Sequence, residues 1–180
     1  LSTAKTNYEK FITLKQAGSE TLARPSLLAA KASIDKAVLN EKTATDASAW
    51  AYKALIDANI AALDTNKVAS DNAMKIAVSE YWKSVELDTD KKYADILKRA
   101  SDLFAQNEFN KAVKSYQSED FKSAMNSFEE ASKFSPNDTL ITHYTGLSAQ
   151  NAGIYTKAIE SYEFCLKTNY SANKIIAYDL

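Results

Sequence analysis

In the last third of this chain, Ala112, Phe121, Ala124, Phe128 and Ala131 are each followed 34 residues later by Gly146, Tyr155, Ala158, Tyr162 and Cys165. Small residues answer small ones and aromatics answer aromatics, a correlation that chance does not readily supply. A fixed period of this length marks stacked supersecondary units. Each unit reads as a helical hairpin in which small residues let two helices approach closely while aromatics fill the gaps beside them. One hairpin cannot bury its own apolar face, so copies must stack.

The pattern resembles the tetratricopeptide repeat (TPR) family across residues 105–172, with copies at about 105–138 and 139–172 and a partial copy from 173. Gly146 and Ala158 match the family's small packing positions, and Gly153 with Tyr155 matches the turn and the aromatic after it. Tyr162 matches the second-helix aromatic. In the earlier copy, Asp120-Phe121 matches the turn and Pro136 the proline that closes a repeat. Departures are Glu108 and Lys111 in one copy, and Thr142 and Thr145 in the other, where the family has tryptophan and leucine. Tyr170 stands in place of the second closing proline. The resemblance implies an all-α, right-handed solenoid of antiparallel helix hairpins.

Residues 1–88 read as divergent N-terminal hairpins and 89–180 as the repeat array. Ala4, Tyr8 and Phe11, with Leu14 or Ile12, lie at helical spacing between Ser2 and Gln16. After Gly18-Ser19-Glu20, Arg24-Pro25-Ser26 leads into a helix with Leu27, Ala30, Ile34, Ala37 and Val38 as its stripe, ending near Asn40. Thr45 or Asp46 caps a third helix carrying Trp50, Leu55, Ile56 and Ile60. A fourth, ending near Leu87, has Met74, Ala77, Val78, Tyr81, Trp82 and Val85 as its apolar residues. Trp50, Tyr52 and Ala54 with Ala77, Tyr81 and Ser84 would form a stretched copy of the hairpin.

From Lys91 to Gln117 a single helical stretch has two disagreeing halves. Ile96, Leu97, Ala100, Leu103 and Phe104 cluster on one side, and Phe109, Ala112, Val113 and Tyr116 nearly opposite. A helix packed on one neighbour has one stripe, so this one is either sandwiched between successive neighbours or broken near Gln106-Asn107-Glu108. The sandwiched form is the expected one. Residues 175–180 would begin a further first helix, which implies either more chain or a partner against it.

Charge narrows the function. The chain carries 22 basic and 23 acidic side chains, net −1, and its arginines are Arg24 and Arg99. Binding nucleic acid needs a surplus of cations to displace counterions, so nucleic acid is not an expected partner. The one cysteine excludes an intrachain disulfide framework. No run of apolar residues reaches the ~20 of a membrane helix. Localisation is undetermined, with a lean towards an exported, periplasmic bacterial protein because the first residue is Leu1 and cysteine is scarce.

Catalysis finds no support. Cys165 sits at a small packing position, where a thiol acts as a small hydrophobe, and pairs with nothing in an obvious way beyond His143, the only histidine. Asp88-Thr89-Asp90 fails as a calcium loop because Tyr93 stands at the glycine position and Arg99 at the closing carboxylate. Glu119-Asp120 reads as turn and Glu129-Glu130 as a solvated face. No phosphate loop, nucleophile elbow or zinc helix occurs. No enzyme, cofactor or metal is expected.

What the resemblance implies is a binding surface. First helices of the family line a concave face that takes an extended peptide or a partner helix. Carried to this sequence, the inward residues are Gln106, Phe109, Val113, Tyr116 and Gln117, then Leu140, His143, Leu147, Gln150 and Asn151. His143 is the member expected to titrate near neutral pH. The lysine-and-asparagine clamp by which some members hold a C-terminal carboxylate is lacking, and Phe109 and Val113 could instead pack on the N-terminal hairpins. The expected role is an interaction scaffold for another protein or peptide. The alternative is a structural module that associates with itself or belongs to a larger helical repeat protein.

Overall fold

The computed structural model describes residues 1–168. Its regular structure is eight helices: α1 (Ser2–Gln16), α2 (Glu20–Leu39), α3 (Ala47–Leu63), α4 (Lys67–Leu87), α5 (Ala94–Gln117), α6 (Phe121–Phe134), α7 (Thr139–Asn151) and α8 (Tyr155–Leu166). The all-α expectation holds among the described residues. The partial copy from 173, Tyr170 and the apolar segment 175–180 lie outside them.

By compactness the chain divides into two units, Leu1–Leu103 and a second that begins at Phe104. The division falls inside α5, whereas the sequence reading drew its line at residue 88. The helix does not break at Gln106-Asn107-Glu108. Leu97 and Ala100 are buried in its first half, Phe104, Ala105 and Ala112 beyond; Phe104, the last residue of the first stripe, packs on Phe134 of the second unit at 5.1 Å.

In the first unit, α3 is the central helix. Ala49, Ala51, Ala54, Leu55, Ile56, Ala58 and Ala61 are almost wholly buried, and a helix apolar on most sides must be enclosed. Its alanines let neighbours approach closely. Tyr8 and Phe11 of α1, with Leu27, Ala30 and Ile34 of α2, complete this core. Full burial of a side chain of that size contributes roughly 1.5–3 kcal/mol. The Tyr8 hydroxyl accepts from Asn59 Nδ2 (3.1 Å) and Arg99 Nη2 (3.3 Å), and burial pushes its pKa up despite the cation.

One sequence expectation needs correction here. Helix α2 begins at Glu20, not after Pro25, so the proline lies within the helix. Proline removes only one backbone donor, and burial of Ala23 holds the preceding turn in place. Helix α4 buries polar residues as well as apolar ones. Met74 and Ala77 are buried, as is Ser84 of the stretched hairpin copy; Glu80 is buried too, whereas Trp82 and Val85 are exposed. Polar groups can be buried only when partnered. Ser84 Oγ donates to the Ala47 carbonyl (2.9 Å), and Glu80 meets Lys53 (3.0 Å).

Caps set the helix starts. Asp46 accepts from Ser48 N, Asn66 from Ala69 N, Asp120 from Ser123 N, and Asp138 from Leu140 N and Ile141 N. Asp88, the first residue of the failed calcium motif, accepts from Lys92 N and Tyr93 N at 2.9 Å each.

The second unit shows the 34-residue period in its backbone. Where α5 gives way to α6, Glu119 N donates to Tyr116 O (3.0 Å) and Asp120 N to Ser115 O (2.9 Å). Where α7 gives way to α8, Gly153 N donates to Gln150 O (3.0 Å) and Ile154 N to Ala149 O (2.8 Å). Both are Schellman turns with a left-handed residue after the helix, Glu119 at φ 61° and Gly153 at φ 74°. The turn from α1 to α2 is the same: Gly18 N to Lys15 O, Ser19 N to Leu14 O, and Gly18 at φ 72°. Thus one hairpin of the first unit shares the turn geometry of the repeats.

Side chains follow the same register. Ala124 and Ala158, Phe128 and Tyr162, and Ala131 and Cys165 are all buried, as are Ala112 and Gly146. A methyl on Gly146 would lie 2.7 Å from Tyr162 Cε1, below any van der Waals contact, so the close approach of α7 and α8 depends on glycine there. Only Phe121 and Tyr155 part company: Phe121 packs edge-on against Tyr116 (5.2 Å), whereas Tyr155 is exposed.

Candidate functional site

The second half of α5 and α7 lie side by side and run parallel. Phe109 meets Tyr144 edge-on at 6.1 Å, and about two helical turns further along Asn151 Nδ2 donates to the Tyr116 hydroxyl at 2.9 Å. The two pairs are offset by the same 35 residues, which antiparallel helices could not give. First helices of successive hairpins are therefore neighbours, and their shared face carries the residues singled out from sequence.

These residues are not equally available. Phe109, Val113 and Tyr116 are partly buried against a cluster of Ala112, Ala124, Phe128, Ala131 and Ile141. Phe109 in particular packs on Phe128 (5.3 Å) as well as Tyr144, so it belongs mainly to the unit's own core. Gln150 accepts a hydrogen bond from the Tyr162 hydroxyl (2.6 Å), and the His143 ring stands 6.1 Å from that of Tyr162. Both flank the groove at the α8 side. Leu140 is 44% exposed, Leu147 is half-buried, and Gln106, Gln117 and Asn151 are exposed. Leu140, Leu147 and Asn151 fall within a narrow arc of α7 and form the accessible stripe.

Charge distribution sets this face apart. None of its ten residues is Asp, Glu, Lys or Arg. Ion pairs lie on other faces: Glu129 pairs with Lys157 (2.6 Å) and Glu130 with Lys133 (2.6 Å) on the second helices, and Glu108 with Lys111 (2.7 Å) on α5. The pairing raises the Lys157 pKa. Glu129, Lys133 and Lys157 also border an open polar cleft of about 360 Å³ with Thr142, Thr145 and Ser161. Thr142 and Thr145 are the residues that replace large apolar ones in the expected pattern. A second cleft, about 330 Å³, lies at the α1–α2 turn, lined by Phe11, Lys15, Glu20 and Arg24 among others. Neither cleft contains the accessible stripe.

Other candidates resolve simply. Cys165 is fully buried beside Ala149, Ala158 and Tyr162, with Sγ 3.5 Å from the Thr139 carbonyl oxygen, and burial pushes its thiol pKa up. A thiol so held is a poor nucleophile. Among the described residues, no three His, Cys, Asp or Glu side chains are grouped to hold a metal ion, and no helix is long and apolar enough to cross a membrane.

Two features escaped the sequence reading. Tyr144 stacks on Phe128 (5.6 Å) and joins the two first helices, but its counterpart one period earlier is Asn110, so the repeat gave no hint of it. The first unit also holds a charge cluster of Lys31, Asp35, Lys53, Asp57 and Glu80, of which Lys31 and Asp35 reach the surface. The Lys31/Asp35 and Lys53/Asp57 spacings of four were its only visible signal.

No family model matches this chain, and no curated protein matches it. Among solved structures it is similar to a crystal structure of the MamA protein, at 11% identity over 99% of this chain and 96% of that one, with a TM-score of 0.34. The fold reading therefore rests on the hairpin geometry described above.

Proposed function

We propose that this protein is a non-catalytic interaction scaffold of TPR type, whose α5–α7 face holds a segment of another protein. The observation that carries the proposal is the parallel pairing of α5 and α7 through Tyr116 and Asn151, which presents one continuous face. Right-handed stacking of such hairpins would make that face concave. Because the face is uncharged, its partner is an extended peptide or helix that offers apolar and amide groups instead of an ionic motif. Desolvating such groups against Leu140 and Leu147 supplies the affinity, and the Gln and Asn side chains fix register.

A peptide selected from a random library against the intact chain tests this. Binding should be nearly unchanged between low and high salt, since screening weakens only charge–charge attraction. Replacing Leu140 and Leu147 together with Glu should weaken it by at least about tenfold, equivalent to ~1.4 kcal/mol, with the unfolding midpoint little changed. Alanine at Tyr116 is a poorer probe because Tyr116 also packs on Phe121. Undiminished capture by the Leu140→Glu, Leu147→Glu variant would move the binding surface elsewhere.

A second reading, self-assembly, has one observation in its favour. Met125 on α6 is buried, 7% exposed, whereas Ile159, its counterpart on α8, is 46% exposed beside Tyr155 and Leu166. Light scattering that finds a monomer over a wide concentration range would count against it.

A further inference from the structure

Lys53 Nζ on α3 lies at the centre of a partly buried ionic cluster: 2.7 Å from Asp35, 2.7 Å from Asp57 and 3.0 Å from Glu80. Lys31 on α2 completes it, 3.1 Å from Asp35 and 2.9 Å from Asp57 Oδ1. Asp57 and Glu80 are each only 6% exposed. The cluster thus sets three carboxyl groups against two ammonium groups. With every group ionised it holds an uncompensated negative charge, much of it in a region water does not reach, which is costly. One proton on one carboxyl brings it to neutrality.

Geometry identifies the carboxyl. Asp35 is partly exposed and meets both lysines, which lower its pKa against the opposing effect of burial. Asp57 also meets both lysines. Glu80 meets Lys53 alone through Oε1, and among the described residues no donor reaches its buried Oε2. The other cation one turn away on α4, Lys83, is turned over the Trp50 ring, 3.6 Å from its centroid. Tyr8 and Arg99 of α1 and α5 engage each other and Asn59. We propose that Glu80 is a buried proton-binding group that keeps its proton near neutrality and makes the α3–α4 hairpin a pH-sensitive element. Protonated, Glu80 neutralises the cluster and can donate to Asp57; ionised, it repels Asp57 across Lys53.

Burial, then the charge of Asp57, pushes the Glu80 pKa up from an ordinary 4.5 to about 7. A group that binds its proton more tightly folded than unfolded stabilises the fold on the acid side. That contribution is complete below about pH 4.5 and is lost as pH rises through about 7. The unfolding equilibrium constant should rise on the order of a hundredfold across this window.

Both tryptophans, Trp50 and Trp82, lie in the first unit, so tryptophan fluorescence reports its unfolding in the intact chain. His143, the only histidine, lies in the second. Urea titrations of the wild-type chain from pH 5 to pH 8.5 should show a falling midpoint. Glu80→Gln, which keeps the neutral form's shape, should flatten that dependence and match or exceed the wild type at pH 8.5. Should the variant fail to fold, infrared spectroscopy of the wild type supplies the answer: a protonated-carboxyl band present at pH 5.5 should fade through neutrality. A wild-type midpoint independent of pH, an undiminished dependence in Glu80→Gln, or no such band at pH 5.5 would each overturn the proposal.

Discussion

Replacing Lys53 with Met is expected to destabilise the first unit by about 3–5 kcal/mol at pH 7, the usual penalty for removing one partner of a buried ionic group. The side chain is 12% exposed and touches three carboxylates. Methionine replaces its stem but not its charge, leaving Asp57 and Glu80 to face each other with Lys31 alone nearby. Part of the deficit should return at pH 5, where Glu80 is protonated. Exposed pairs of the same spacing, such as Lys67–Asp71, should shift the midpoint by no more than about 0.5 kcal/mol when broken. Urea midpoints followed by Trp50 and Trp82 fluorescence make the comparison. Equal small effects at Lys53 and Lys67 would mean that water reaches the cluster.

Phe128→Ala should have a comparable effect on the second unit, about 3–5 kcal/mol. Phe128 is 1% exposed, stacks on Tyr144 and meets Phe109. It therefore connects one hairpin to the first helix of the next. Truncation removes the contact and leaves a cavity in a cluster whose buried neighbours are Ala112, Ala124, Ala131 and Ile141. Hydrogen exchange of α6 and α7 amides should accelerate by about two to four orders of magnitude if they open with the unit. Loss of protection confined to the end of one helix would show that the hairpins do not share a core.

The parts of the structure legible in the sequence are those where one physical rule acts alone. Close helix approach demands small residues, so Ala124, Gly146 and Ala158 could be found by period and all are buried. Ala4, Tyr8 and Phe11 made an apolar stripe with no competing polar group, and all three lie inside. The reading failed where two rules competed. On α4 hydrophobicity alone would bury Trp82 and expose Glu80, yet Trp82 is 49% exposed and Glu80 is buried against Lys53. Lysine and aspartate four residues apart ordinarily form solvated helix pairs, and nothing local distinguishes Lys53 and Asp57 from Lys67 and Asp71. On the α5–α7 face, the sequence could not separate Phe109, held by Phe128 and Tyr144, from Leu140, which is 44% exposed.

The central claim is that the shared face of α5 and α7 receives the partner. Amide chemical-shift mapping of the labelled chain during titration with a selected peptide addresses it most directly. The account predicts shifts concentrated at Gln106, Val113 and Gln117 on α5 and at Leu140, Leu147 and Asn151 on α7. Shifts gathered on the charged side of α6 and α8, around Glu129 and Lys157, or within the first unit would contradict it.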